Sequence, residues 1–426
     1  MKASSPIGTV NLMETMVKGQ PLEAWSSVFM NENSQHLRYS VELLMRMLTH
    51  SAPPISPDTD TYTGSVVSGW QEVTALQDEV EAMDLSSGLR NVFFSPTWTN
   101  AWFKTLGPGK GQNQLGGKAI AITCRDSEGG LVGYWPFFQV PGIRKPGLWP
   151  FACQSADWFE PLVTTTDTDV LKVLFAQFKE LWKSHSFLWL PLMRQDIFQE
   201  HIRPALKEAG IWCLARSRSE NLRIELVEGL DFETFSKDTM GSKTRQTLAR
   251  KRRRLEEKGA IRIETYTDYN SVKRMLNEIV RIEDANWKGQ SGLGLFSKSN
   301  IKQFYFESLP QLADSGNLRL SLLRSGKKAV AYEMALIQDK DYLMHNLAYH
   351  PDFASYSPGL LLLLHNIEWC FENNFRTYDF MQGPDEYKAR FANFHQPLLD
   401  VALFSKGPAG AAHYALMRFM GKSSAK

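Results

Sequence analysis

The sequence predicts an α/β protein with two related halves in tandem, each a mixed sheet flanked by helices. Three observations lead there. At 426 residues the chain is too long for one ordinary core. The order hairpin, loop, helix, strand occurs twice along it. The long apolar segments keep helical spacing, whereas the short ones between turn residues read as buried strands.

Residues 1–65 read as an N-terminal extension, partly helical and ending in a linker. "LRYSVELLMRMLT" (37–49) places Leu37, Val41, Leu44, Met45 and Leu48 at helical spacing, and "SAPPISPDTDTYTGS" (51–65) is dense in Pro, Ser, Thr and Asp. The first half spans 66–225. There "KAIAITCRDSEGGLVGYWPFF" is two strands about a Ser-Glu-Gly-Gly turn, "VLKVLFAQFKELWKSH" an amphipathic helix, and "FLWLPL" a short buried strand. The second half spans 226–426, with the join around 215–235. "LRLSLLRSGKKAVAYEMALI" is strand, turn and strand, and "KDYLMHNLAYH" is the next strand. "GLLLLLHNIEWCFENN" is a helix with Leu360, Leu363, Leu364, Ile367 and Phe371 on one face, and "RTYDFMQG" is the strand after it.

Composition narrows the function. Hydrophobic content of 43%, charged content of 22% and a net charge of +2 are those of a globular protein, not of one that binds nucleic acid through its whole surface. Cys124, Cys153, Cys213 and Cys370 lie far apart, and the nine histidines form no His-x-x-x-His. No disulfide framework and no metal site are expected. The start, "MKASSPIGTVNLMETM", lacks the apolar core of a secretory signal, and no aliphatic run approaches the ~20 residues of a membrane span. The expected location is cytoplasmic, with peripheral contact to the inner membrane left open.

"SYSPGLLLL" is a well-specified helix start, with Ser357 suited to the N-cap and Pro358 to the first helical position. Two readings stay open. One is capping alone. The other is an anion site, in which bare first-turn amides face a phosphate and Gly359, without a Cβ, lets it approach.

The order hairpin, strand, glycine-containing turn, helix, strand resembles the GNAT (acyl-CoA N-acyltransferase) fold. More narrowly, Tyr356-Ser357-Pro358-Gly359-Leu360-Leu361, then Tyr378-Asp379-Phe380 and Gly383, then Glu386-Tyr387-Lys388, resembles the CelD/BcsL-like acyltransferases of cellulose and exopolysaccharide biosynthesis. "FFSPTWTNAWF" (93–103) is similar to that family's N-terminal motif, "TRQTLARKRRRLEEKG" (244–259) to its Arg-rich helix, and "EDANWK" (283–288) to its central Trp segment. The resemblance covers roughly residues 70–405. The family is in turn similar to the Fem-type aminoacyl transferases, which carry two such domains in tandem. It implies an acetyl-CoA or other acyl-CoA co-substrate, with its pyrophosphate on the helix start. The first half has "SADWFEPLV" in place of Ser-Pro-Gly, so it is the second half that is expected to hold CoA.

Acyl transfer from a thioester needs a proton acceptor, a polarised carbonyl and a donor to the leaving thiolate. Glu333, His345 and Asp379 are candidate acids or bases. Asp379 interrupts an apolar strand, and a buried carboxylate must be paired or hydrogen-bonded. Glu333 as a solvent-facing strand residue and His345 as a half-buried, hydrogen-bonded one are the plainer alternatives. Tyr387 is a candidate donor to the thiolate. Ser357, Pro358, Gly359, Leu360 and Lys388 are the candidate cofactor-binding residues, and Trp287, Tyr349 and Arg390 the candidate substrate-binding ones. Strand alternation places 345, 347 and 349 on one face. The Arg-rich helix is either a solvated face or a guide for an acidic substrate, CoA phosphates or a lipid headgroup.

The expected function is acyl transfer from CoA to an amine or hydroxyl of a small-molecule, glycan or lipid acceptor, in exopolysaccharide or cell-envelope biosynthesis. Association with a polysaccharide synthase or a membrane surface is left open. Nucleic acid is not expected as a partner, except tRNA under the alternative of a Fem-type aminoacyl-tRNA-dependent transferase. A further alternative is a non-catalytic scaffold of a polysaccharide synthase.

Overall fold

The computed structural model describes residues 61–107, 117–140, 145–152, 155–227, 229–292, 294–405, 408 and 410–415, excepting the side chains of Trp287 and Lys288. The helix expected over 37–49 and most of the expected linker lie outside the described residues. The first described strand, Tyr62–Ser68, begins inside the stretch read as linker and pairs antiparallel with Ala119–Asp126.

Among the described residues thirteen strands form one mixed sheet. In chain order they are β1 (Tyr62–Ser68), β2 (Ala119–Asp126), β3 (Leu131–Val140), β4 (Gly147–Pro150), β5 (Leu162–Val163), β6 (Phe187–Arg194), β7 (Trp212–Glu225), β8 (Ile261–Tyr266), β9 (Leu318–Ser325), β10 (Lys328–Gln338), β11 (Asp341–Tyr349), β12 (Thr377–Gln382) and β13 (Phe394–Phe404). The spatial order is β1-β2-β3-β4-β6-β13-β7-β12-β11-β10-β9-β8, with β5 against β3.

The repeat legible in the sequence is visible in this order. Each half has an antiparallel hairpin, β2–β3 and β9–β10, then a parallel pair, β4 with β6 and β11 with β12. Parallel neighbours require a crossover helix, which explains why an amphipathic helix precedes β6 and β12. All eight residues of β9 are buried, so the strand reads as a continuous run instead of an alternating one. Gly326 at φ +61 supplies the left-handed residue of the β9–β10 turn.

The halves are interlocked. β7 ends the first half yet pairs with β12 of the second, and β13, which follows β12 in the second half, pairs with β6 of the first. β7 and β13 also pair with each other over most of their length. Helices cover both faces. On one face α1 (Pro96–Thr105) of the first half meets α2 (Ser299–Asp314) of the second, Trp98 standing edge-on to Phe304 at 4.9 Å. Their shared core joins aromatic residues of the first half to Tyr305, Leu320 and Tyr332. On the other face α3 (Pro358–Glu372) covers a smaller core containing Ile224, Leu363, Ile367, Tyr378 and Phe380. No helix among the described residues is long and apolar enough to cross a membrane.

Candidate active site

The parallel pair β11–β12 parts midway. The strands pair at Asp341–Thr377, Tyr342–Tyr378 and Leu343–Asp379, and Leu343–Asp379 is the last pair. Both strands bulge just beyond it. On β11, Ala335 and Met334 of β10 pair with Met344 and Asn346, leaving His345 over. On β12, the pairing with β7 slips between Asp379 and Gln382. A bulge bends its strand and ends regular pairing, so the two together open a wedge with Asp379 at its vertex. Met381 sits at φ +59 within the second bulge, a left-handed conformation uncommon for a residue with a side chain.

The start of α3 lies beside the open end of the wedge, against Leu347 and Tyr349. A Cβ on Gly359 would stand 3.1 Å from Leu347 Cδ2 and 3.1 Å from Tyr349 Cδ1. Its missing side chain thus lets the helix approach β11, a packing reason that adds to the close approach of an anion. Ser357 is not a side-chain N-cap. It adopts φ +52, ψ +49 and caps no amide through its side chain; its Oγ instead accepts a hydrogen bond from Lys251 Nζ at 2.7 Å. The first-turn amides of Gly359 and Leu360 are left without a capping side chain. Lys251 belongs to the Arg-rich helix Ser242–Glu256, whose Arg250, Arg252, Arg253 and Arg254 are exposed.

Asp379 is buried, and on the face opposite α3. By alternation Tyr378 and Phe380 point into the α3 core and Asp379 away from it. Its Oδ1 accepts from Asn221 Nδ2 at 2.6 Å and from the Met381 amide at 2.7 Å. Burial raises its pKa to about 6, opposed by those two hydrogen bonds and by the charges of Arg194 and Arg223. The carboxylate lines a cavity of about 310 Å³ between the halves, together with Leu343, Arg194, Arg223, Gln338 and Arg376.

The remaining expected residues fall in several places. Glu333 is not solvent-facing: it is fully buried under α3, where its Oε1 accepts from Tyr342 Oη at 2.7 Å and Tyr378 Oη at 2.8 Å. Burial lifts its pKa to about 7. Because Tyr342 and Tyr378 pair just before the strands part, Glu333 braces the vertex. His345 does not share a face with 347 and 349. The bulge turns it to the α2 face, where Nε2 lies 2.8 Å from Tyr305 Oη and Nδ1 lies 3.3 Å from Asp157 Oδ2, without hydrogen-bond alignment. Tyr387 stands edge-on to Phe380, and burial raises its pKa, keeping the phenol protonated. Lys388 is buried and locks the turn after β12, donating to Gln382 O at 2.7 Å with Asp385 at 3.4 Å. It is held there instead of being free for a phosphate. Arg390 is exposed on the short helix Glu386–Phe391. The side chain of Trp287 lies outside what the structure describes.

The sequence reading missed Arg194, Arg223 and Asn221, and the role of "SADWFEPLV". That segment turns toward the second half. Glu160 accepts from the Arg194 amide and Nε, and Trp158 lies under the Arg194 guanidinium at 4.8 Å. An arginine closing the apolar run "FLWLPLMR" was the one available signal. Among the described residues no group of His, Cys, Asp or Glu suits a metal ion.

Residues 242–389 match the family described as acetyltransferase (GNAT) domain. This span contains the wedge, the helix start and Asp379. No curated protein matches the chain in sequence. Among solved structures, FemX is similar over 80% of this chain and 98% of its own, at 12% identity and a TM-score of 0.55. The chain therefore shares that fold. L-PGS from Bacillus licheniformis covers 76% of this chain and 96% of its own at 12% identity, with a TM-score of 0.45. A tandem GNAT protein from the clavulanic acid biosynthesis pathway covers 81% and 99% at 11% identity, with a TM-score of 0.41.

Proposed function

We propose that the protein transfers an acyl group from acyl-CoA to an amine or hydroxyl, with the thioester in the wedge between β11 and β12. The observation that carries this reading is the coincidence of the parted strands with the bare helix start at Ser357, Pro358, Gly359 and Leu360. The first-turn amides and the N-terminal end of the α3 dipole suit a pyrophosphate. Lys251 and the exposed arginines beside it suit the remaining phosphate charge. Beyond Leu343 the β12-facing edge of β11 has no strand partner, so its amides can polarise the thioester carbonyl. Asp379 takes the proton of the attacking group. The protonated Tyr387 donates to the departing thiolate and is reprotonated from solvent. The new bond is acyl carbon to nitrogen or oxygen, and the bond broken is carbon to sulfur.

The acceptor belongs, on the resemblance of the Ser-Pro-Gly, Tyr-Asp-Phe and Glu-Tyr-Lys motifs, to exopolysaccharide or cell-envelope synthesis. The test is thermal stability with acetyl-CoA and longer acyl-CoA esters. A rise in Tm is expected, and it should vanish in Gly359→Trp, whose side chain would collide with Leu347 and Tyr349. No rise with any ester counts against the reading. A second reading, an aminoacyl-tRNA-dependent transferase of the Fem type, draws on the exposed basic face of the Ser242–Glu256 helix. Salt-dependent tRNA binding without CoA binding would favour it.

A further inference from the structure

The cavity on the far side of Asp379 has unmatched groups of both kinds. Asp379 accepts both of its described hydrogen bonds through Oδ1, leaving Oδ2 to the cavity it lines. Arg194 donates Nε to Glu160 and lays its guanidinium over Trp158, but its two Nη groups have no hydrogen bond among the described residues. Arg223 is held by Asp196 at 3.5 Å and Glu225 at 2.9 Å and lies over the Phe394 ring, with Nε buried and without a partner. An acceptor and a guanidinium fork that open onto one cavity, neither taken by another described side chain, suit a ligand that brings a donor to the first and an oxyanion to the second.

Size and depth narrow that ligand. About 310 Å³ is the space of a small molecule or of one end of a larger one. The side chains of Arg194 and Arg223 are only 16% and 17% exposed, whereas Arg376, already held by Asp341 at 2.6 Å, is 60% exposed at the rim. The inner end of the cavity thus offers a carboxylate and an arginine fork side by side.

We infer that this junction cavity is the acceptor site, and that the acceptor is a small primary amine carrying its own carboxylate or phosphate. The amine meets Asp379 Oδ2, and the oxyanion meets Arg194 and Arg223. This rests on the acyltransferase reading and specifies its second substrate. In the reaction the ammonium gives one proton to Asp379, its nitrogen bonds to the acyl carbon as the carbon–sulfur bond breaks, the nitrogen releases its second proton to solvent, and Tyr387 protonates the leaving thiolate and is itself reprotonated from solvent. The site draws on both halves, Arg194 from β6 of the first and Asp379 from β12 of the second, with Arg223 on the β7 strand between them.

The test is calorimetric binding to the full chain, with CoA binding measured in parallel. The probes are glycine, 4-aminobutyrate and glucosamine 6-phosphate, against butylamine, butyrate and glucosamine. At least one probe with both groups should bind tenfold or more tightly than its partners lacking one group; whether it is an amino acid or the amino-sugar phosphate tells carboxylate from phosphate. Arg194→Lys keeps a positive charge beside Glu160 and removes the fork, so it is expected to preserve folding and CoA binding while weakening that probe at least tenfold. Arg223→Lys should act in the same direction. The inference is overturned if CoA binds and no two-group probe does, or if Arg194→Lys and Arg223→Lys both leave probe affinity unchanged. Binding of a two-group probe with no CoA binding sustains the cavity and removes the donor assignment.

Discussion

Asp379 and Glu333 are both buried carboxyls with raised pKa values, yet they sit on opposite faces of one sheet and have different tasks. Asp379, at about 6, is ionised at neutral pH and can accept a proton. The acid limb of kcat/KM is therefore expected near pH 6. Asp379→Asn should remove that limb and lower kcat about 10²–10³-fold, as measured by pH-dependent steady-state kinetics. Glu333, at about 7, has no path to the cavity and acts through stability. Its folded pKa lies above its unfolded value, so the fold is favoured while the group is neutral and loses stability as pH rises toward and through 7. Glu333→Gln keeps an acceptor for Tyr342 and Tyr378 and should abolish this loss, on the order of 2–3 kcal/mol between pH 5 and 8 in urea titrations. The sequence made Asp379 legible because a charge inside "YDFMQ" has to be explained. It could not do so for Glu333, since both faces of β10 are buried and alternation carries no polarity there. Nor could it show the bulge at His345, which depends on the register with β10.

At the scale of elements, the start of α3 is shaped by the neighbouring Arg-rich helix as much as by its own residues. Pro358 and Gly359 marked the helix start correctly, and Ser357 was expected to cap it. Lys251, more than a hundred residues earlier in the chain, takes the serine hydroxyl instead and leaves the amides bare. Pairing across such a separation leaves no local trace. Lys251→Glu should weaken CoA binding about tenfold and flatten its dependence on ionic strength, measured by calorimetry at two salt concentrations. Folding should be little affected, because the Ser242–Glu256 helix is anchored through buried Leu248 and Leu255.

For the whole molecule, the repeated element order was legible and the continuity of the sheet was not. Local periodicity identifies strands, but not that β13 will reach back to β6 or that β7 will reach forward to β12. A fragment of residues 226–426 would lack both β6 and β7, exposing one edge of β12 and both edges of β13. It is expected to aggregate or stay unfolded by circular dichroism and size-exclusion chromatography, although the matched family span, 242–389, lies within it. A fragment beginning at 211 restores β7 and should be more soluble.

The vertex at Asp379 is reached from two sides. The proposed donor site lies along the parted strands by the start of α3, and the cavity opens between the halves on the other face. Neither reactant stands in the other's doorway. Such a centre has no built-in queue: either substrate can arrive first, both must be present for chemistry, and either product can leave without waiting for its companion. Where both reactants share one narrow mouth, the first to bind can block the second, a constraint that this sheet, open at its middle, does not impose.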